Sequence, residues 1–259
     1  MLSISVYQPS GSMNYQKNLQ FLIEQIKTQD SKLLIFPELF ITGYMIRDEL
    51  FKYHLNQDIE DFKTVKNVTE KYDKTVIFGY PEEHNGQYYN SAALISKDLV
   101  ATVRKIYLPN FGPFEEKIYF SDSNEINVYN TKFGKIGIQI CYDIFFPEIS
   151  KIQALKGADI IVNISASPIT SRVYFENLMV SRAIENSVFY IYNNWAGTQR
   201  SLVYWGGSAI IGPKGEILAK APYFKPQVLK YQIDLRDLNI ARKLRPTIRD
   251  TKVELFKNI

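Results

Sequence analysis

Short apolar runs recur along this chain, and some of them alternate with helix-like segments whereas others are paired across turns. Strand–helix alternation is typical of parallel sheets, and runs paired across a turn are typical of hairpins. Because the chain carries both patterns, a simple doubly wound sheet does not fit. The pattern predicts an α/β fold in which two mixed sheets pack face to face with helices outside, a layered sandwich.

The spacing of apolar residues places the individual elements. A helical period predicts four helices, over residues 14–28, 59–72, 147–157 and 174–186. Short apolar or alternating runs predict single strands over residues 3–8, 33–36, 75–79, 135–141, 159–165 and 188–193. Turn residues between apolar runs predict two hairpins, which join 88–95 to 99–107 and 208–211 to 216–220.

No Pro/Gly/Ser-rich linker, low-complexity block or internal repeat divides the chain, so we predict one domain over residues 1–259. Its formal charge of +4 is concentrated in a basic arm over residues 236–259, where no aromatic residue precedes Phe256. A nucleic-acid-binding face would interleave aromatic residues with the charges. We therefore expect a solvated arm or a subunit contact, and no nucleic-acid partner.

Two residue types are scarce, and this argues against several classes of site. Cys141 is the single cysteine, which rules out an internal disulfide and argues against a cysteine-zinc site. The two histidines, His54 and His84, lie in polar stretches typical of the surface. We therefore expect no metal and no organic cofactor. The chain shows no secretory signal and no apolar run near the roughly 18 residues of a membrane span, so we expect a cytoplasmic protein without a membrane partner.

Three polar residues lie at the ends of apolar runs or within one. Glu38 comes just after 33–36, Lys105 lies in a predicted strand, and Cys141 closes 135–141. Taken singly, each has a structural alternative: a solvated loop carboxylate, a lysine on the sheet surface and a buried core thiol. Together they can perform acyl transfer without histidine, because a carboxylate can accept the thiol proton and an ammonium can stabilise thiolate and oxyanion.

The residues around these three resemble the motifs of the nitrilase superfamily, the carbon–nitrogen hydrolases. Residues 36–44 read Phe-Pro-Glu-Leu-Phe-Ile-Thr-Gly-Tyr, residues 104–110 read Arg-Lys-Ile-Tyr-Leu-Pro-Asn, and residues 140–148 read Ile-Cys-Tyr-Asp-Ile-Phe-Phe-Pro-Glu. The resemblance covers nearly the whole chain and implies an αββα sandwich. It also implies Glu38 as general base, Lys105 as oxyanion stabiliser and Cys141 as nucleophile.

A fourth block, residues 114–120, is similar to the one that carries a second catalytic glutamate in the superfamily. Alignment on its Lys-x-Tyr-Phe assigns that role to Glu116, with Glu115 as the alternative. The resemblance implies that Glu116 orients Lys105 and the substrate. The backbone N–H of Tyr142 follows the nucleophile and is expected to share the oxyanion.

The substrate pocket is predicted to contain Tyr44, Tyr142, Phe145 and Ser167. Phe145 stands where ω-amidase-like members carry an arginine for a substrate carboxylate, so a dicarboxylic monoamide is disfavoured. An aromatic residue there is more similar to N-carbamoylputrescine amidases and to the glutaminase domains of NAD synthetases. Ser167 lies in the stretch 163–168, which is also similar to the glutaminase domains. Tyr142-Asp143 replaces the Trp-Glu usual in nitrilases, which favours amides over nitriles.

The leading prediction is a thiol amidase that hydrolyses a small linear amide or N-carbamoyl amine to a carboxylic acid and ammonia through a thioester on Cys141. One alternative is a glutaminase subunit that supplies ammonia to a partner. Another is a catalytically silent binding or scaffold protein on the same fold. The resemblance also implies a homodimer or a larger homo-oligomer.

Overall fold

The computed structural model describes the backbone of residues 1–258 and the side chains of residues 1–255. In chain order the strands are β1 (Leu2–Gln8), β2 (Leu33–Ile35), β3 (Thr75–His84), β4 (Gln87–Ser96), β5 (Leu99–Arg104), β6 (Val128–Thr131), β7 (Gly134–Ile140), β8 (Ile160–Ser165), β9 (Phe189–Asn194), β10 (Ala196–Gln199), β11 (Leu202–Trp205), β12 (Ala209–Ile211), β13 (Ile217–Lys220) and β14 (Gln227–Ile233). The helices are α1 (Tyr15–Thr28), α2 (Glu60–Lys71), α3 (Glu116–Tyr119), α4 (Pro147–Leu155), α5 (Arg172–Asn186) and α6 (Arg236–Leu244).

Two six-stranded sheets form the centre of the fold. Their strand orders are β14-β1-β2-β3-β4-β5 and β13-β12-β9-β8-β7-β6. In the first sheet β1, β2 and β3 run parallel, and in the second β7, β8 and β9 do so. Antiparallel strands flank each parallel group. The predicted pair of mixed sheets is confirmed, and the two sheets share the same plan.

Alternation along the strands divides the apolar side chains between layers. In β2, Leu33 and Ile35 belong to the core between the sheets, whereas Leu34 belongs to the outer layer that also holds Leu22 of α1 and Phe62 of α2. Side chains of a strand point alternately to its two faces, so a short apolar run can serve both layers. On the other side, α5 packs against β9. The order of layers is helix, sheet, sheet, helix.

Local signals explain where several helices begin and end. The Asn14 side chain accepts a hydrogen bond from the N–H of Lys17 at 2.9 Å, so α1 begins at Tyr15. Pro147 opens α4, and Gly157 lies beyond its end with a positive φ of +90°. This agrees with the general preference for proline at the start of a helix and glycine just past its end.

The segment expected to be a solvated arm differs from the expectation in its first part. It begins with α6, in which Leu238 and Ala241 are buried. Arg242 pairs with Asp159 at 3.1 Å and donates to the carbonyl of Ala158 at 2.8 Å. Two buried apolar residues and one partly exposed ion pair therefore hold α6 against the second sheet. The side chain of Phe256 lies outside the described side chains. None of the helices within residues 1–258 combines the length and apolar character needed to span a membrane.

Candidate active site

Glu38, Lys105 and Cys141 come from the ends of three strands and meet at one edge of the sandwich. Glu38 follows β2, Lys105 directly follows β5, and Cys141 directly follows β7. The Lys105 ammonium donates to Oε1 of Glu38 at 2.7 Å and to Oε1 of Glu116 at 2.6 Å. Both Glu38 and Lys105 are fully buried. The structure therefore places these residues together, and the loop and surface alternatives for Glu38 and Lys105 do not describe them.

Glu116 rather than Glu115 is the acidic residue at this site. Glu116 is buried and bonded to Lys105, whereas Glu115 is exposed and lies 3.9 Å from Arg47. Tyr44 donates its hydroxyl to Oε1 of Glu116 at 2.7 Å. The structure thus connects Tyr44 to the acidic residue, and Tyr44 is not part of the wall of the cavity beside Cys141.

Asn90 of β4 completes the network and is absent from the sequence-based prediction. Its side-chain amide donates to Oε1 of Glu38 at 2.7 Å and to Oε2 of Glu116 at 3.4 Å. Asn90 is fully buried in a strand whose other central residues are mostly apolar. A buried amide needs hydrogen-bond partners, so a lone asparagine in an apolar strand is the signal that could have marked it.

The Glu38 segment passes very close to β3, and Gly79 permits this approach. A Cβ on Gly79 would lie 2.6 Å from the carbonyl oxygen of Pro37 and 2.7 Å from the Cα of Glu38. Real Cβ atoms do not approach backbone this closely, so only glycine fits here. Leu39, which follows Glu38 in the chain, has a positive φ of 48°. This strained turn aims the Glu38 side chain into the site.

Cys141 lies in a second strained turn, with a φ of +48° where β7 ends. Asp143 secures this turn, because its Oδ2 accepts the N–H of Ile140 at 3.0 Å and its Oδ1 accepts the N–H of Tyr107 at 2.9 Å. Burial raises the pKa of Asp143 to about 6, although the N–H donors of Tyr107 and Ile140 oppose the rise. Asp143 therefore ties the Cys141 turn to the chain that follows Lys105.

Three hydrogen bonds at the site link one sheet to the other. The N–H of Ala166, just after β8, donates to Oε2 of Glu38 at 2.7 Å. The indole of Trp195 donates to the carbonyl of Glu38 at 2.8 Å. The bond from Tyr107 to Asp143 is the third. The relative position of the two sheets at this edge is therefore set by the residues of the site.

Burial and neighbouring charges set the protonation of the cluster. Burial lowers the pKa of Lys105, but the charges of Glu116 and Glu38 outweigh this and hold it above its ordinary value. Burial raises the pKa of Glu116 to about 7, although Lys105 opposes the rise. Burial also raises the pKa of the Cys141 thiol, with Glu38 adding to the rise and Lys105 opposing it. The expected lowering of the thiol pKa by Lys105 is thus outweighed by burial, and the thiol is neutral at neutral pH.

A cavity of about 210 Å³ opens beside Cys141. Of the residues predicted to bind substrate, Tyr142, Phe145 and Ser167 lie in its wall. Four further aromatic residues of the wall are absent from the sequence-based prediction: Phe111, Phe114, Tyr174 and Phe175. With Tyr142 and Phe145, they make the wall mainly aromatic. Sequence patterns could not separate the aromatic residues that face a cavity from those that face the core.

The two histidines lie elsewhere. His84 is exposed as the last residue of β3, and its ring is 3.2 Å from the side chain of Asn85. His54 differs from the surface position expected for it, because it is partly buried with its ring 5.5 Å from that of Tyr88. Within residues 1–258, no group of three or more histidine, cysteine or acidic side chains is arranged to hold a metal ion.

Comparisons with known proteins agree with this site. The family model described as Carbon-nitrogen hydrolase matches residues 4–243. A probable nitrilase of Schizosaccharomyces pombe is 31% identical over 254 residues, which cover 95% of this chain and 92% of the relative. The omega-amidase of Danio rerio is 30% identical over 248 residues, which cover 92% of this chain and 88% of that protein.

Another relative is longer than this chain. The glutamine-dependent NAD(+) synthetase of Aquifex aeolicus is 32% identical over 236 residues, which cover 89% of this chain but 41% of the synthetase. The crystal structure of a carbon-nitrogen hydrolase from Helicobacter pylori G27 superposes with a TM-score of 0.89 at 26% identity and covers 99% of this chain and 97% of that one. The chain therefore belongs to the carbon–nitrogen hydrolase family of the nitrilase superfamily, and it is a hydrolase of C–N bonds other than peptide bonds.

Proposed function

We propose that this protein is a thiol amidase that converts a small linear amide to a carboxylic acid and ammonia, or an N-carbamoyl amine to ammonia and a carbamic acid that breaks down to an amine and carbon dioxide. The observation that supports this proposal is the buried cluster of Glu38, Lys105 and Glu116 beside Cys141, at a cavity open to a small ligand. A carboxylate, an ammonium and a thiol are sufficient for acyl transfer without a metal or a histidine.

In the first half-reaction Glu38 accepts the thiol proton and the sulfur of Cys141 attacks the amide carbon. A C–S bond forms, and the carbonyl oxygen becomes an oxyanion that the Lys105 ammonium and the backbone N–H of Tyr142 stabilise. The tetrahedral intermediate then collapses, the C–N bond breaks, and Glu38 returns its proton to the departing ammonia. A thioester on Cys141 remains.

In the second half-reaction Glu38 removes a proton from water, and the resulting hydroxide attacks the thioester carbon. The C–S bond breaks, the acid leaves, and the proton returns to the sulfur. Glu38 suits this double duty because Lys105 and Asn90 both donate to its Oε1. Among the described residues, its Oε2 accepts only the N–H of Ala166, which leaves an acceptor site for the proton in transit.

Glu116 serves as a positioning residue in this proposal. It accepts a hydrogen bond from Lys105 and one from Tyr44, and it lies in the same buried cluster as Glu38. These two bonds fix where the ammonium of Lys105 points. A preorganised donor stabilises a developing oxyanion without reorganisation at the moment of reaction, which is the main advantage of a buried site.

A glutaminase that supplies ammonia to a partner is the second candidate. The 32% identity with the synthetase of Aquifex aeolicus favours it, since that protein is described as glutamine-dependent. This candidate predicts glutamine hydrolysis that increases when the partner is added. A silent scaffold is the third candidate, and it predicts a Cys141 that does not react.

The test is ammonia release from glutamine, N-carbamoylputrescine, an aliphatic amide, a dicarboxylic monoamide and a nitrile. The Cys141→Ala variant is the control in each case, and alkylation by iodoacetamide reports whether the thiol is reactive. Turnover of an amide that disappears in Cys141→Ala supports the amidase. Turnover that survives in Cys141→Ala contradicts the nucleophile assignment, and an unreactive thiol with no turnover supports the scaffold.

We also propose that the chain forms a homodimer through the surface around α5. Ile169, Val173 and Tyr174 are 45%, 60% and 60% exposed there, which is unusual for apolar side chains so close together. Light scattering at several concentrations tests this proposal. A dimer that Val173→Glu converts to a monomer supports it, and a monomeric wild-type chain at all concentrations contradicts it.

A further inference from the structure

Among the residues that the structure describes, those in the wall of the cavity beside Cys141 carry no charged side chain. Apart from the thiol, the polar side-chain atoms there belong to Ser167, Ser171 and the phenols of Tyr142 and Tyr174. The remaining wall is aromatic or proline. Ligand sites place a few polar groups where they fix the reacting atoms and leave the rest apolar, so this wall is suited to the unreactive part of a substrate.

The aromatic residues of the wall hold one another in place. The ring of Phe145 meets those of Phe175 and Tyr142 at centroid distances of 5.4 and 5.2 Å. The ring of Phe111 lies 5.4 Å from Tyr142 and 5.5 Å from Phe114. Edge-to-face and tilted pairs at such distances are favourable. The wall is therefore formed in advance, and an alkyl or phenyl group can bury against it without ordering new side chains.

Ser167 is held within this wall by several hydrogen bonds. Its Oγ accepts the indole N–H of Trp205 at 3.2 Å. Asn194 accepts its backbone N–H at 2.9 Å and donates to its carbonyl at 3.2 Å. Its backbone polar groups are therefore occupied, and the hydroxyl group remains to meet a ligand with its proton and its second lone pair.

Among the described residues, the wall of the cavity offers no counter-ion. Outside the wall, the Lys105 ammonium is already bonded to both Glu38 and Glu116. At the outer end, Arg172 follows Ser171 in the chain but lies 3.7 Å from Glu176. A substrate charge that is buried against this wall would therefore lose water without gaining an ion partner from the wall, which is unfavourable.

We propose that the acyl part of the substrate is uncharged and apolar, so that the substrate is a short aliphatic or phenyl-bearing primary amide. This inference rests on the proposed amidase function and narrows it, because it sets aside glutamine, dicarboxylic monoamides and N-carbamoyl diamines. The cavity volume of about 210 Å³ is below the roughly 300–1,000 Å³ of sites for drug-sized ligands. The aromatic faces can attract an ammonium group of a substrate, but the described residues of the wall offer no carboxylate to pair with it.

Three amides of matched length test the proposal: hexanamide, 6-aminohexanamide and the monoamide of adipic acid. They differ only in whether the remote end is neutral, cationic or anionic. We expect kcat/KM for hexanamide to exceed each of the others by about 100-fold or more, and all turnover to vanish in Cys141→Ala. A charged amide within about tenfold of hexanamide, or better than it, overturns the proposal.

A substitution in the wall provides the second test. Phe145→Arg should lower the ratio of hexanamide to adipic monoamide turnover by about tenfold or more, because it adds a cation to the apolar wall. Phe145→Leu keeps the wall apolar and should keep the preference for hexanamide. The matched control is Ile240→Arg on α6, where the side chain is 53% exposed and outside the cavity. An unchanged ratio in Phe145→Arg contradicts the proposal.

Calorimetry on the folded Cys141→Ala variant separates this inference from the proposed function. If hexanamide binds in preference to both charged amides but the wild-type chain releases no ammonia, the pocket assignment stands and the amidase proposal fails. If the charged amides bind as well as hexanamide, or if none of the three binds, the pocket assignment fails.

Discussion

Replacing Lys105 with methionine removes the one cation of the buried cluster and leaves two carboxylates facing each other. The side chain is fully buried and donates at 2.7 and 2.6 Å to Glu38 and Glu116. Each hydrogen bond to a charged group is worth about 1.5–3 kcal/mol, and removing one partner of a buried ion pair costs about 3–5 kcal/mol. We therefore expect Lys105→Met to lower the free energy of unfolding by about 3–5 kcal/mol.

The loss of unfolding free energy in Lys105→Met should depend on pH, and the carboxyl groups of the cluster determine the direction of this dependence. Burial and the charge of Glu38 raise the pKa of Glu116 in the folded state, and removing the opposing Lys105 ammonium raises it further above the value in the unfolded chain. A raised folded-state pKa gives stability that is present at low pH and lost as the pH rises. The destabilisation should thus be smaller at about pH 5 than at about pH 8.

Urea unfolding at both pH values measures the destabilisation. Ammonia release should also fall by about 100- to 1,000-fold, because an oxyanion donor is lost. Lys74→Met is the matched control, since Lys74 is also buried but donates to the backbone carbonyls of Gln29 and Ser31 rather than to carboxylates. It should show no such pH dependence and keep its activity. If Lys105→Met unfolds like the wild type at both pH values, the electrostatic reasoning is refuted.

Three further predictions concern the residues around the cluster. Asn90→Ala removes a donor to Glu38 and should lower kcat/KM by about 10- to 100-fold; a change below about twofold in a folded variant would contradict this. Gly79→Ala should cost about 1–3 kcal/mol and lower kcat, since its Cβ would collide with the Glu38 backbone. Gly86→Ala, where a Cβ meets nothing within 4 Å, should leave kcat unchanged. The raised pKa of Glu116 predicts that wild-type stability relative to Glu116→Gln falls between about pH 5 and pH 8, and a flat difference in urea titrations would argue against it.

The spacing of apolar residues along the chain predicts those strands and helices that neighbouring residues determine. The apolar periodicity of β2 and β7 is visible in the sequence, and Glu38 and Cys141 could be singled out because each comes at or just after the end of such a run. The strand β14 was not predicted, because its partner β1 lies at the other end of the chain, where Leu2 pairs with Ile233. Such a pairing leaves no mark within a window of neighbouring residues.

The hydrogen-bond partners of the site residues also could not be predicted from the sequence. Tyr44 was predicted to bind substrate, yet its hydroxyl meets Glu116, which lies 72 positions away. Asp143 belongs to the motif around Cys141, but its two backbone partners, Tyr107 and Ile140, come from different segments of the chain. Hydrogen bonds between distant segments are decided by how the two sheets pack. Residue type and spacing along the chain therefore indicate the reacting groups but not the residues that hold them.

The hydrogen bonds at Glu38 link the two sheets, so the reaction rate should depend on the spacing between them. The proposed base Glu38 follows a strand of one sheet and the proposed nucleophile Cys141 follows a strand of the other, so the distance between them depends on how the two sheets pack. We expect a conservative change deep in the interior between the sheets, such as Ile138→Val, to shift these two groups relative to each other. Proton transfer is steeply sensitive to such shifts. Turnover should therefore fall together with stability when the interior is loosened, and no fragment that holds a single sheet should carry the activity.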